Sequence, residues 1–129
     1  MNSQPPSNPI DNVSVYIAAG LISGCGALMF NVMPVFVGAM AQAFAYGEAE
    51  LGDIVAAFNI GFTLIAMLAV FIIRRVNWRV FAVSAIAVAV AGLLAMSMTD
   101  GYRAIELLMA VVGLAMGGLY TLVMAVLGD

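Results

Sequence analysis

The sequence predicts an all-α membrane protein with four transmembrane helices, and three observations predict it. Of its 129 residues, 65% are hydrophobic and only 9% are charged, against about 25% charged in a typical soluble domain. The mean hydropathy is +1.14. The apolar residues fall into four long stretches divided by short polar turns, and a spanning helix needs about 20 apolar residues.

The same composition excludes several function classes. The chain has no His and one Cys, Cys25. A single Cys excludes an internal disulfide and a cysteine-based zinc cluster. Without His, Ser23 and Ser84 have nothing to activate them, and no His metal site is possible. No span offers paired acids. The sequence therefore points away from an enzyme and implies no metal or cofactor. Four Arg and no Lys make no basic patch for nucleic acid. The lipid bilayer is the first partner the sequence implies.

Residues 1–13 form a polar tail, in which Pro5, Pro6 and Pro9 oppose a helix. The first span is expected over about 14–44. Pro34 lies inside it and cannot donate to the Phe30 carbonyl, so a bend is expected near Phe30–Pro34. Tyr46–Asp53 reads as a tight turn around Gly47. Its acids, Glu48, Glu50 and Asp53, enter the first turns of the second span, where the positive helix end favours them. That span is expected over about 50–73. Arg74, Arg75 and Arg79 mark a short wet loop, with Trp78 as an interfacial anchor. The third span is expected over about 78–98 and the fourth over about 103–127, with Asp100-Gly101 as the turn signal between them. The membrane segment as a whole is 14–129.

Orientation follows from arginine placement. The loop between the second and third spans holds three Arg, and the loops on the other side hold one, Arg103. The positive-inside rule puts the three-Arg loop, and with it both termini, in the cytoplasm of a cell's inner membrane. Glu106 lies three residues after Arg103, within pairing reach on a helix.

Membrane helices associate through close packing of small residues. Gly20, Gly24, Ala27, Asn31, Pro34 and Gly38 keep to one face of the first helix, and Gly52, Ala56, Asn59, Thr63 and Ala66 to one face of the second. Both stripes read as packing seams. Ala82, Ala85, Ala89 and Gly92 form a third, and Gly113 and Gly117 make a GxxxG pair in the fourth span. Asn31 and Asn59 are the strongest polar signals inside spans. Their depths differ by only about 3 Å at about 1.5 Å per residue. Two readings stand side by side: a hydrogen bond across the first hairpin, or side chains facing a substrate cavity. Tyr120 and Thr121 carry the same two readings deeper in the fourth span.

Three features taken together resemble the start of a major facilitator superfamily transporter. They are the run Asn31-Val-Met-Pro34-Val-Phe-Val-Gly38 before a short turn, Glu48-Ala-Glu-Leu-Gly52 with Asn59-Ile-Gly61 beyond it, and the Arg-rich loop. The resemblance covers residues 14–129. In the loop motif Arg75 and Arg79 fit the family pattern, while Val70, Arg74, Asn77 and Trp78 replace its Gly, Asp, Gly and Arg. Met109 stands where the family's fourth helix often has an Arg, so no coupling role carries over to it.

The resemblance implies one three-helix repeat plus the first helix of the next, hence the N-terminal part of a transporter whose missing C-terminal helices are its protein partner. It implies secondary active transport of a small solute by alternating access, with the first and fourth helices lining the cavity. Asn31, Asn59, Tyr120 and Thr121 are the candidate cavity residues. One alternative is a complete four-helix chain acting as a dimer, as in small multidrug transporters, although its first helix lacks the acid those proteins depend on. Another is a non-transporting membrane scaffold subunit.

Overall fold

The computed structural model describes residues 13–72, Arg75 and residues 77–127. The polar tail up to residue 12 and the loop residue Arg74 lie outside the described residues. Four helices follow in order: α1 (Val13–Phe44), α2 (Glu48–Ile72), α3 (Trp78–Ser97) and α4 (Tyr102–Leu127). The four expected spans are present, with ends within about two residues of the sequence-based bounds. Even α3, with 20 residues, reaches about 30 Å, the thickness of a bilayer's hydrocarbon core. All four helices are long and apolar enough to cross a membrane. The chain is a multi-pass, all-α membrane protein.

Local chemistry sets the helix ends. α1 stays helical through Pro34 and stops where Ala45 takes a left-handed φ of 53°. Such a residue commonly ends a helix, although Gly is the usual choice. Gly47 then opens α2: its N–H donates to the Glu50 carboxylate at 2.9 Å, and its carbonyl accepts from Leu51 N–H. This is the acidic half of a capping box. At α3, Asn77 is the N-cap, and its side-chain oxygen accepts from Arg79 N–H at 3.1 Å. At α4, the Gly101 carbonyl accepts from the Ala104 and Ile105 amides, both at 3.0 Å.

α4 is the hub. It packs against α2 most extensively, then α3, then α1, whereas α1 and α2 meet only marginally. Ile105, Met109, Val112, Leu119 and Leu122 are buried along it. Three glycines explain how closely α2 approaches. A Cβ on Gly61 would overlap the Ala110 carbonyl, and one on Gly113 would overlap the Phe58 carbonyl. One on Gly117 would lie 2.8 Å from the Phe62 carbonyl oxygen. The backbones of α2 and α4 therefore touch along two helical turns, as small residues allow in membranes. α3 offers α4 the stripe Ala82, Ala85, Ala89, Gly92 and Met96, all buried. α1 approaches at Gly26, where a Cβ would sit 3.0 Å from the Tyr120 amide nitrogen.

One expectation is corrected. Gly20, Gly24, Gly38 and Gly52 are not packing positions between these helices: a Cβ on any of them meets nothing within 4 Å. The buried face of α1 is Ala19, Gly26, Met29 and Met40, and that of α2 is Ile54, Phe58, Gly61 and Ala69. At 3.6 residues per turn, each small-residue stripe lies roughly 140° around its helix from the face that meets α4. A coherent stripe identifies residues that share a face, not the helix that face will meet.

Candidate functional site: the open face of α1 and α2

Between α1 and α2 stands an aromatic group. Phe30 makes edge contacts with Phe58 and Phe62, at ring-centroid distances of 5.4 and 4.9 Å. Phe62 in turn lies 6.0 Å from the Tyr120 ring. These rings link α1 to α2, and through Tyr120 to α4. Offset and edge-to-face arrangements are those the ring quadrupole favours. Single-sequence reading treats these Phe residues only as generic packing groups. The repeated Phe at 58 and 62, one helical turn apart, is the signal that marks them.

Beyond the rings, on the side away from α4, the two stripes form one open face. It carries Gly20, Gly24, Asn31, Pro34 and Gly38 from α1, with Gly52, Ala56, Asn59 and Thr63 from α2, all exposed. Asn31 and Asn59 are both on it, but they do not bond to each other. The Asn31 amide donates to the Ala27 carbonyl and the Asn59 amide to the Val55 carbonyl, each at 3.0 Å within its own helix. The expected hydrogen bond across the hairpin is therefore not made. Each amide satisfies one donor locally, and its oxygen accepts no hydrogen bond among the described residues, in the manner of polar side chains that back-bond inside helices.

Tyr120 and Thr121 sit elsewhere. Tyr120 is half-buried in the seam between α1 and α4, over Gly26. The Thr121 hydroxyl is shared between the carbonyls of Gly117 and Gly118, at 2.9 and 3.1 Å. α1 and α4 thus meet at Tyr120, while the open face belongs to α1 and α2.

The opposite end of the bundle from the Arg-rich loop is held by a polar cluster that sequence reading missed. Tyr102 donates to the Asp53 carboxylate at 2.9 Å, and Tyr46 donates to the Asp100 carbonyl at 3.3 Å. Tyr46 also stacks on Phe44 and meets the Tyr102 ring edge-on. The α1–α2 and α3–α4 turns are thereby joined. These contacts span about 50 residues of sequence, so no local pattern announces them. Beside them Arg103 pairs with Glu106 at 2.7 Å. This exposed pair on one helix is worth little in stability. Among the described residues no group of His, Cys, Asp and Glu is placed to hold a metal ion. Comparison with protein-family models, with curated proteins and with solved structures finds no match to this chain.

Proposed function

We propose that these four helices are the N-terminal part of a major-facilitator-type secondary transporter that moves a small solute across the cytoplasmic membrane by alternating access. The observation that carries the proposal is the open face of α1 and α2. It places two asparagines about 16–20 Å from the Phe44–Glu48 turn, near the middle of the bilayer. Exposing polar groups to lipid at that depth is unfavourable, and such residues normally face protein or a water-filled cavity. A face of small residues with two exposed amides suits further helices around a polar path. The aromatic group of Phe30, Phe58 and Phe62 forms the floor beneath it. In this reading Arg75 and Arg79 lie on the cytoplasmic side, with both termini.

Cysteine accessibility tests it. In a Cys25→Ala background, Asn31→Cys and Asn59→Cys should react in native membranes with a water-soluble thiol reagent. Leu64→Cys, half-exposed on the lipid side of α2, should not. Equal labelling at the three positions, or none, refutes the cavity. Disulfide-linked dimers through Asn31→Cys would favour the alternative in which a second copy covers the same face. Thiol labelling of an Arg75→Cys variant from outside the cell would overturn the orientation.

A further inference from the structure

The three seams on α4 differ in what fills them. The α2–α4 seam is backbone on backbone, at Gly61, Gly113 and Gly117. The α3–α4 seam is a stripe of alanines closed by Gly92 and Met96. Glycine and alanine have no side-chain rotamers to change, so these helices can shift only by parting from α4. The α1–α4 seam is built differently. Ile22, Gly26, Met29, Met33, Phe36 and Met40 follow one another along α1 at steps of four and three, and they face the core. On α4, Met109 and Met116 are seven residues apart and share the face of Tyr120, which lies over Gly26. The first and fourth spans run in opposite directions. Outward from the Gly26–Tyr120 contact, α1 therefore presents Met29, Met33 and Met40 while α4 presents Met116 and Met109. Five of the ten methionines lie in this one seam. Methionine is unbranched and soft, and it fills gaps of changing shape.

Little else fixes α1. At Gly26 an added Cβ would sit 3.0 Å from the facing backbone, whereas at Gly61 and Gly113 it would overlap backbone outright. Among the described residues no side-chain hydrogen bond joins α1 to another helix. Asn31 bonds within α1, and the tie at the outer end is made by Tyr46, in the turn beyond α1. α2 and α4, by contrast, share the Tyr102–Asp53 bond. α1 and α2 meet only marginally. Pro34 cannot donate to the Phe30 carbonyl, so α1 is itself softened in the middle of the methionine stretch.

We infer that α1 is a movable element that slides along the methionine seam against a fixed body of α2, α3 and α4. Small sliding of packed helices is a shear motion, absorbed by side chains that re-pack. Phe30 rides on α1, so a shift of α1 changes its edge contacts with Phe58 and Phe62, and with them the shape of the open face that α1 and α2 share. The motion needs only the packing of the four helices and does not depend on the transporter reading.

Methyl NMR reads the seam directly. The full chain, carrying carbon-13 in its methionine methyls, is placed in phosphatidylcholine nanodiscs. Relaxation dispersion then reports motion on the μs–ms timescale of helix shifts. Met29, Met33, Met40, Met109 and Met116 should show dispersion with one shared exchange rate. Met96 is the control: it is as buried as Met116, 7% against 8% exposed, but lies in the α3 stripe and should show none. No dispersion in the seam, unrelated rates at its methionines, a shared rate confined to one helix, or the same dispersion at Met96 overturns the sliding seam. Met29→Ile/Met40→Ile replaces two flexible side chains by ones that are stiff at χ1 in a helix. Dispersion at Met109 and Met116 should then be lost, with helicity by circular dichroism unchanged. Unchanged dispersion at those two residues assigns the motion to α4 and overturns the role of α1. If the variant loses helicity, the comparison of the seam with Met96 in the unmodified chain decides alone.

Discussion

Replacing Gly113 by Ala tests the central packing claim. The added Cβ would lie 2.9 Å from the Phe58 carbonyl carbon and 3.1 Å from its Cα, with the carbonyl oxygen closer still. These are backbone atoms of a helix and cannot rotate away. Relief requires α2 and α4 to part by about 1 Å at the crossing, and a gap of that size forfeits up to about half the dispersion energy of each atom pair. Overpacking of this kind costs about 3 kcal/mol at the upper end of its usual range. The better helix propensity of Ala returns about 1 kcal/mol, leaving a net loss of about 2 kcal/mol. Gly24→Ala is the same chemical change at a position where a Cβ meets nothing within 4 Å. There only the propensity gain of about 1 kcal/mol remains. The two variants should therefore differ by about 3 kcal/mol, more than a hundredfold in the folding equilibrium. Unfolding in mixed micelles by titration with dodecyl sulfate, followed by circular dichroism, measures the difference. Gly61→Ala strikes the reciprocal contact at Ala110, so the double variant with Gly113→Ala should lose less than the sum of the singles. Equal midpoints for Gly113→Ala and Gly24→Ala would refute the close approach of α2 and α4.

Three further outcomes are expected. Asn77→Ala removes the cap that accepts from Arg79 N–H and should lower stability by about 1 kcal/mol in the same titration, whereas Asn77→Asp should largely preserve it. Ala45→Gly relieves the left-handed conformation that ends α1 and should raise stability by about 1 kcal/mol; a loss would show that the φ of 53° carries no strain. Tyr46→Phe removes the hydroxyl that ties the two turns together, so amides of residues 99–101 should exchange with solvent faster while those in the middle of α4 do not change.

The fold was legible because its cause is one-dimensional. Each span is a run of apolar residues of membrane length, and each turn carries its own signal: Gly47 with the acids that follow it, the Arg-rich stretch with Trp78, and Asp100-Gly101. The Arg103–Glu106 pair was legible for the same reason, since three residues on a helix fix the geometry. What could not be read was which faces meet. Gly113 stands in a GxxxG pair, yet its partner is the Phe58 backbone, and nothing local to Phe58 marks it as a contact for glycine. Gly61 and Gly26 lie outside the small-residue stripes altogether, and each fits because a neighbouring helix comes close. The Tyr102–Asp53 and Tyr46–Asp100 bonds likewise depend on two turns meeting in space.

The misplaced stripes carry the strongest functional argument. In α3 a run of small residues at steps of three and four is consumed by packing against α4. In α1 and α2 runs of the same kind are left unused by the four helices, although Gly lowers helix propensity by about 1 kcal/mol per residue relative to Ala. Gly20, Gly24, Gly38 and Gly52 lie on the same open face as Asn31 and Asn59, opposite the hub. Toward lipid, such a face gains nothing from its glycines and loses by its asparagines. Toward protein or a polar path, both residue types are favoured. The coherence of the unused stripes is therefore information about what lies against α1 and α2. The surface lined by Ile65, Phe81, Val88, Val111 and Leu114, where α2, α3 and α4 meet, shows the opposite character, with an almost wholly hydrocarbon lining. The bundle thus has two unlike sides, one of small residues and amides and one of hydrocarbon, and α4, packed against the other three helices, holds the two together.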